Sequence, residues 1–187
     1  MSKYSSLLSA SVFLALAVAC KLKLVPMETN FALFGGLSIF CGAYLRGFTA
    51  WLIPLFGIAF SDLLGEWLQI PGVHRYDIRS MLFNYAGFAA MVGVGHALRR
   101  KDTADWVFGS ALAGSIVFFL VSNFGCWLDP IMKYHQSLSG LVNCYAMALY
   151  FFRYTLASDV LFTLLFVGAY RGMLAYYGET SRASSES

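Results

Sequence analysis

The chain has 187 residues, of which 59% are hydrophobic and only 12% are charged, and its formal net charge is +3. A soluble domain carries about 25% charged residues, so this deficit excludes an ordinary soluble domain and indicates long segments that have lipid as their solvent. No basic patch is dense enough to indicate nucleic-acid binding, so the partner expected from composition is the lipid bilayer.

The apolar runs are long and continuous, which predicts helices rather than the short alternating strands of a membrane barrel. A helix needs about 20 residues to cross the hydrocarbon core. In chain order, the predicted spans are Leu7 to Leu24, Phe31 to Leu45, Trp51 to Leu68, Met81 to Leu98, Trp106 to Leu128 and Thr155 to Leu174. The predicted fold class is therefore an all-α membrane protein, a bundle of six transmembrane helices.

An additional apolar run, Leu141 to Phe152, precedes the last span and is about half a span long. We predict that it forms a short interfacial or re-entrant helix, separated from the last span by Arg153. The alternative is one continuous kinked helix from Leu141 to Leu174. The polar residues 178–187 predict a disordered tail, which leaves residues 1–177 as a single transmembrane helical domain.

The strongest topological signal is the basic loop Arg99-Arg100-Lys101 after the fourth span. Positively charged loops stay in the cytoplasm, and six spans put both termini on one side. We therefore predict a multi-pass protein of the cell inner (plasma) membrane with both termini cytoplasmic. The first run also resembles a cleaved signal peptide, but Lys3 alone is less charge than such signals have, so we expect the helix to be retained.

Two acidic residues, Asp62 and Asp159, lie inside predicted spans among apolar neighbours. An ionisable side chain in lipid is costly and usually faces a partner or a wet cavity, so a ligand contact, ion coupling or a proton relay is one interpretation. The other is that each caps a helix end or pairs with Arg79 or Arg153. No acid–base pair or nucleophile constellation is present, and the three histidines lack ligand spacing, so we predict no enzyme, no cofactor and no metal site.

Polar amides and aromatic side chains share one depth on the predicted outer side. Asn84, Asn123, Trp127 and Tyr145 predict a small-molecule pocket, with the loop around Asn30 as a lid. The alternative is an interfacial aromatic belt combined with amide hydrogen bonds between helices.

Ala15 and Ala19 lie four residues apart on one face of the first helix, a spacing that permits close packing of a neighbouring helix. Together with six small helices and a polar, aromatic outer face, this pattern resembles the substrate-binding S components of energy-coupling factor (ECF) transporters. In that family the first-helix alanine motif packs on a transmembrane coupling protein, and substrate binds near the outer side. Similarity to an uncharacterised bacterial family of S-component-like membrane proteins covers most of the chain and rests on Asn30-Phe31, Ser61-Asp62, Ser122-Asn123-Phe124-Gly125-Cys126-Trp127 and Gly140-Leu141-x-x-Cys144-Tyr145.

The resemblance implies a subunit that binds a small solute for uptake, together with a coupling protein and ATPase subunits. The sequence contains no Gly-x-x-x-x-Gly-Lys-Ser/Thr, so a partner would supply ATP hydrolysis through such a loop. The alternatives are a stand-alone carrier that uses Asp62 or Asp159 for proton coupling, and a non-transporting membrane scaffold.

Overall fold

The computed structural model describes residues 3–24, 33–71, 77–99, 101 and 103–183. Within these residues it contains helices and no strand. The elements are α1 (Lys3–Lys21), α2 (Phe34–Tyr44), α3 (Thr49–Trp67), α4 (Ile78–Leu98), α5 (Ala104–Leu128), a 3-10 turn (Pro130–Met132) and α6 (Leu138–Ala183).

Within the described residues, five of the six helices are long and apolar enough to cross a membrane, namely α1, α3, α4, α5 and α6. The remaining helix, α2, has 11 residues and is therefore about 17 Å long, roughly half of the hydrocarbon thickness. The described part of the chain is thus all-helical, of the membrane type, with five candidate spans, and a sixth crossing through α2 stays a prediction.

The short helix α2 forms the centre of the bundle. Every residue from Phe34 to Gly42 is buried, and α2 packs against α1, α3, α4 and α6. A helix that is apolar on all sides has no face suited to water, so enclosure by its neighbours is the arrangement that its composition favours.

Glycines allow α2 to approach its neighbours at backbone distance. A methyl group added at Gly36 would overlap the backbone of Phe162 and Thr163 in α6, and one at Gly42 would overlap the carbonyl oxygen of Val92 in α4. Small residues at these positions increase the contact between helices where lipid offers no hydrophobic drive to associate.

The first and last helices run antiparallel. Ser9 near the start of α1 lies against Met173 near the end of α6, with 3.9 Å between Oγ and Sδ. Further along α1, the ring of Phe13 stacks on Phe166, with 4.2 Å between centroids. The beginning of α1 and the end of α6 therefore lie at the same end of the bundle. Assignment of that end to the cytoplasm stays a prediction from the basic loop after α4.

One continuous helix, α6, covers both the predicted half-span helix and the predicted last span. The separate interfacial or re-entrant helix was therefore the wrong interpretation, and the continuous alternative describes the backbone. Arg153 lies within this helix without interrupting it. Its guanidinium lies 4.4 Å and 4.7 Å from the ring centroids of Tyr150 and Tyr154, two residues of the same helix. The helix continues to Ala183, so residues 178–183 of the predicted tail are helical, and residues 184–187 lie outside the described part of the chain.

Hydrogen bonds from Arg99, at the end of α4, connect this helix to the end of α2. The guanidinium Nε of Arg99 donates hydrogen bonds to the carbonyl oxygens of Gly42 at 2.8 Å and Ala43 at 3.1 Å. Partial burial, and secondarily the neighbouring guanidinium of Arg46, lower the pKa of Arg99. The arginine thereby satisfies carbonyls that the end of α2 leaves without helical partners.

Candidate functional site

The acidic residue of α3, Asp62, belongs to an ion pair. Its Oδ1 lies 2.6 Å from Nζ of Lys21, and the hydroxyl of Tyr85 donates a hydrogen bond to its Oδ2 at 3.0 Å. The Lys21 ammonium also lies 5.7 Å from the ring centroid of Phe34. The partner of Asp62 is therefore Lys21 rather than Arg79, and the ion pair connects α1, α3 and α4.

The acidic residue of α6, Asp159, occupies a different environment near the middle of the bundle. It is 3% exposed, and its Oδ2 accepts a hydrogen bond of 2.7 Å from the hydroxyl of Ser115, halfway along α5. Its Oδ1 packs directly on Gly35 of α2. Among the described residues no cationic side chain lies within ion-pair distance of it, so the alternative interpretation, in which Asp159 pairs with Arg153, is wrong.

A second buried polar side chain, Thr163, follows Asp159 by four residues and therefore lies one turn further along the same face of α6. It is fully buried, and its hydroxyl oxygen has no hydrogen-bond partner among the described residues. An unsatisfied buried hydroxyl costs free energy. The two residues together form a buried polar region between α2, α5 and α6 that makes few hydrogen bonds among the described residues.

Three of the predicted pocket residues lie along the contact between α5 and the beginning of α6. Asn123, Trp127 and Tyr145 each donate a hydrogen bond to a backbone carbonyl, at 2.8, 2.9 and 2.6 Å respectively. Asn84 is half-buried on α4, and Asn30 lies outside the described residues. The side-chain donors of the three are thus directed to backbone oxygens here, and ligand binding by this set stays a prediction.

The alanine pair of α1 faces away from the core. The buried stripe of α1 contains Ala10, Phe13 and Ala17, whereas Ala15 is exposed and Ala19 is half-buried. A side chain four residues along a helix returns to the same face, so the two alanines share an outward surface.

That surface is one wall of an open apolar groove between α1 and α3, which we call the α1–α3 groove and whose volume is about 410 Å³. Its lining residues are Ser11, Leu14, Ala15, Val18, Ala19, Leu24, Phe56, Gly57 and Phe60. The wall from α1 thus combines the small residues Ser11, Ala15 and Ala19 with Leu14 and Val18, and the wall from α3 combines two phenylalanines with Gly57.

Sequence reasoning missed three residues that complete these clusters: Lys21, Tyr85 and Ser115. Lys21 lies at the end of the first predicted span, at the depth of Asp62, and that shared depth was the available signal for the ion pair. Ser115 lies in the middle of its span, as Asp159 does in the long helix, and that shared depth was the available signal. The sequence did not indicate which faces of the helices contact one another.

No curated protein and no solved structure shows significant similarity to the chain. Residues 2–180 match the model of a family that is described as a family of unknown function, DUF6580. Because this match covers nearly the whole chain, the protein belongs to the DUF6580 family.

Proposed function

We propose that the protein is a membrane-embedded subunit that binds a small solute and works with a separate coupling protein and ATPase. The observation that carries the proposal is the outward orientation of Ala15 and Ala19 along the α1–α3 groove. A small-residue face is suited to close packing of a helix, and the groove between α1 and α3 is open among the residues that the structure describes.

The sequence agrees with a transporter in which one subunit binds the solute and another hydrolyses ATP. The sequence has no Walker loop, so a transporter of this type would obtain ATP hydrolysis from its partner. The solute would be held at the end of the bundle where Trp127 and Tyr145 lie, since aromatic faces with a few polar groups are typical of small-molecule sites. Binding there requires that at least some of the present backbone hydrogen bonds be exchanged for bonds to the solute.

The test compares tryptophan at an outward and an inward position of the same helix. Ala15→Trp is expected to leave the purified protein folded and to abolish its co-purification with an ATPase module. Ala17→Trp is the matched control, because Ala17 is 1% exposed and overpacking a core typically lowers the free energy of unfolding by about 1–3 kcal/mol. Unchanged co-purification of Ala15→Trp, or the absence of any ATPase partner of the wild type, would contradict the proposal.

The identity of the solute is approached by mass spectrometry of small molecules that co-purify with the detergent-solubilised protein. A single compound that is retained by the wild type and lost from Trp127→Ala supports the predicted pocket. Equal retention by both proteins would contradict binding of the solute at Trp127. It would not bear on docking at α1, which the tryptophan variants test.

A stand-alone proton-coupled carrier is the second candidate, favoured by the buried carboxyl group of Asp159 at the middle of the bundle, which has no counter-ion among the described residues. Asp62 is a weaker candidate for coupling, because Lys21 already compensates its charge. Transport of a solute by the purified chain alone in proteoliposomes, driven by a pH gradient, would favour the carrier. A requirement for an ATPase would favour the subunit.

A further inference from the structure

The carboxyl group of Asp159 is surrounded by three other helices that offer it almost no compensation for a negative charge. Ser115 of α5 provides one hydrogen bond at 2.7 Å. Gly35 of α2 lies against Oδ1, and the methyl group of Met91 of α4 lies beside the same glycine. None of these neighbours is titratable or charged.

The nearest basic residue on the same helix does not reach Asp159. Arg153 precedes it by six residues, which is about 9 Å along the axis. Its guanidinium is engaged with Tyr154, to whose hydroxyl oxygen it donates a hydrogen bond of 2.9 Å, and with the ring of Tyr150. An ionised Asp159 would therefore be a buried charge with one donor and no counter-ion among the described residues, which proteins avoid.

The surroundings suit a proton better than a metal ion. The described residues contain no group of three or more histidine, cysteine, aspartate or glutamate side chains that could hold a metal, and the contact with Gly35 occupies the space beside Oδ1. A protonated carboxyl group is neutral and can also donate a hydrogen bond. Thr163, one turn away on the same face, has a buried hydroxyl oxygen that finds no hydrogen-bond partner in the part of the chain that the structure describes.

We propose that Asp159, with Ser115, forms a proton-binding site at the middle of the bundle, where the carboxyl group is protonated in the folded protein at neutral pH. Release of the proton would leave a buried negative charge against Gly35, within the contact between α2 and α6. The site therefore links proton release to the packing of α2 against α6. This inference requires neither of the two functions above, because it concerns equilibrium binding of a proton by the chain alone.

Infrared spectroscopy of the purified protein provides the direct test. The wild type is expected to show the carbonyl stretch of a protonated carboxyl group at neutral pH, and Asp159→Asn is expected to lack it. Asp105→Asn, at an exposed position in the first turn of α5, is the matched control and should retain the band. Absence of the band from the wild type, or its retention in Asp159→Asn, overturns the proposal.

The pH dependence of stability gives an independent readout. The unfolded chain releases the proton above about pH 5, while the folded chain keeps it, so stability falls as pH rises until the folded carboxyl group ionises. The unfolding equilibrium constant should increase about tenfold per pH unit over that range. Asp159→Asn should lack this component, and equal slopes in the two proteins would refute the site.

Two further measurements keep the proposal open to refutation. If Asp159→Asn does not fold, Ser115→Ala removes the hydrogen-bond donor and should shift the frequency of the carboxyl band, and an unchanged band overturns the assignment. Stabilisation of the wild type by Na⁺ over choline at equal ionic strength, lost in Asp159→Asn, would identify a metal-cation site instead and overturn proton binding.

Discussion

Removal of the charge of Asp62 tests whether this residue is a structural partner of Lys21. Asp62→Asn retains an oxygen that can accept the hydrogen bond from Tyr85, so the change isolates the charge. Lys21→Met removes the ammonium group and preserves most of the apolar stem. The variant with both changes completes a double-mutant cycle.

The expected magnitude follows from the geometry of the pair. Its Nζ to Oδ1 distance is 2.6 Å, and its side chains are 21% and 15% exposed. Loss of one partner costs about 3–5 kcal/mol for a fully buried pair and at most about 1 kcal/mol for an exposed one. Because this pair is only partly buried, each single variant should lose about 2–3 kcal/mol of unfolding free energy, a value between these two limits.

Thermal unfolding of the purified protein in detergent measures the effect. For a chain of this size, 1 kcal/mol shifts Tm by about 2–4 °C, so each single variant should unfold about 4–12 °C below the wild type. The double variant should recover much of this loss, because neither charge is left alone. Lys23→Met, at an exposed position two residues further on, is the matched control and should change Tm little.

The result that refutes this reasoning is additivity. If the losses of the two single variants sum in the double variant, then Lys21 and Asp62 do not stabilise each other. If Asp62→Asn leaves Tm unchanged but abolishes solute uptake or binding, then the carboxylate acts on a ligand rather than on Lys21.

Three further predictions concern packing, topology and a buried cap. Gly42→Ala should lower the free energy of unfolding by about 1–3 kcal/mol, because its methyl group would overlap a carbonyl oxygen of α4. In the control Gly93→Ala the methyl group enters open space, and the variant should gain up to about 1 kcal/mol from helix propensity. Equal changes in Tm would contradict the close approach of α2 to α4. In a cysteine-free background, Lys101→Cys should resist an impermeant thiol reagent in intact cells while Lys133→Cys reacts, and the reverse pattern would invert the topology. Asp129→Ala should cost about 1–3 kcal/mol, because this carboxylate is 1% exposed and accepts hydrogen bonds of 2.7 and 2.8 Å from a serine of α4 and a backbone amide; an unchanged Tm would show that these bonds do not contribute.

The sequence by itself determined the class of the protein and the extents of several helices. The span predicted to end at Leu128 ends there, because Asp129 and Pro130 stop the helix and cap the following turn. The span predicted to end at Leu98 also ends there. These features depend on local propensity and on the apolar length of each run, both of which can be read along one chain.

The length of α2 was harder to predict, because a predominantly apolar run of fifteen residues, 31–45, does not indicate whether the helix crosses lipid or is enclosed by protein. Periodicity gives no signal where every face is apolar. Only the packed bundle shows that α2 is surrounded, and the glycines that lie against α4 and α6 acquire their meaning from that position.

The tertiary structure alone decided which side chains meet. The rotation of each helix about its axis is set by packing with its neighbours, and no local rule specifies it. That rotation directs Asp62 toward Lys21 and Asp159 toward Ser115, and it directs Ala15 away from the core. The sequence singled out Asp62 and Asp159 within apolar spans. The packing of the helices brought Asp62 into an ion pair and left Asp159 without a counter-ion among the described residues.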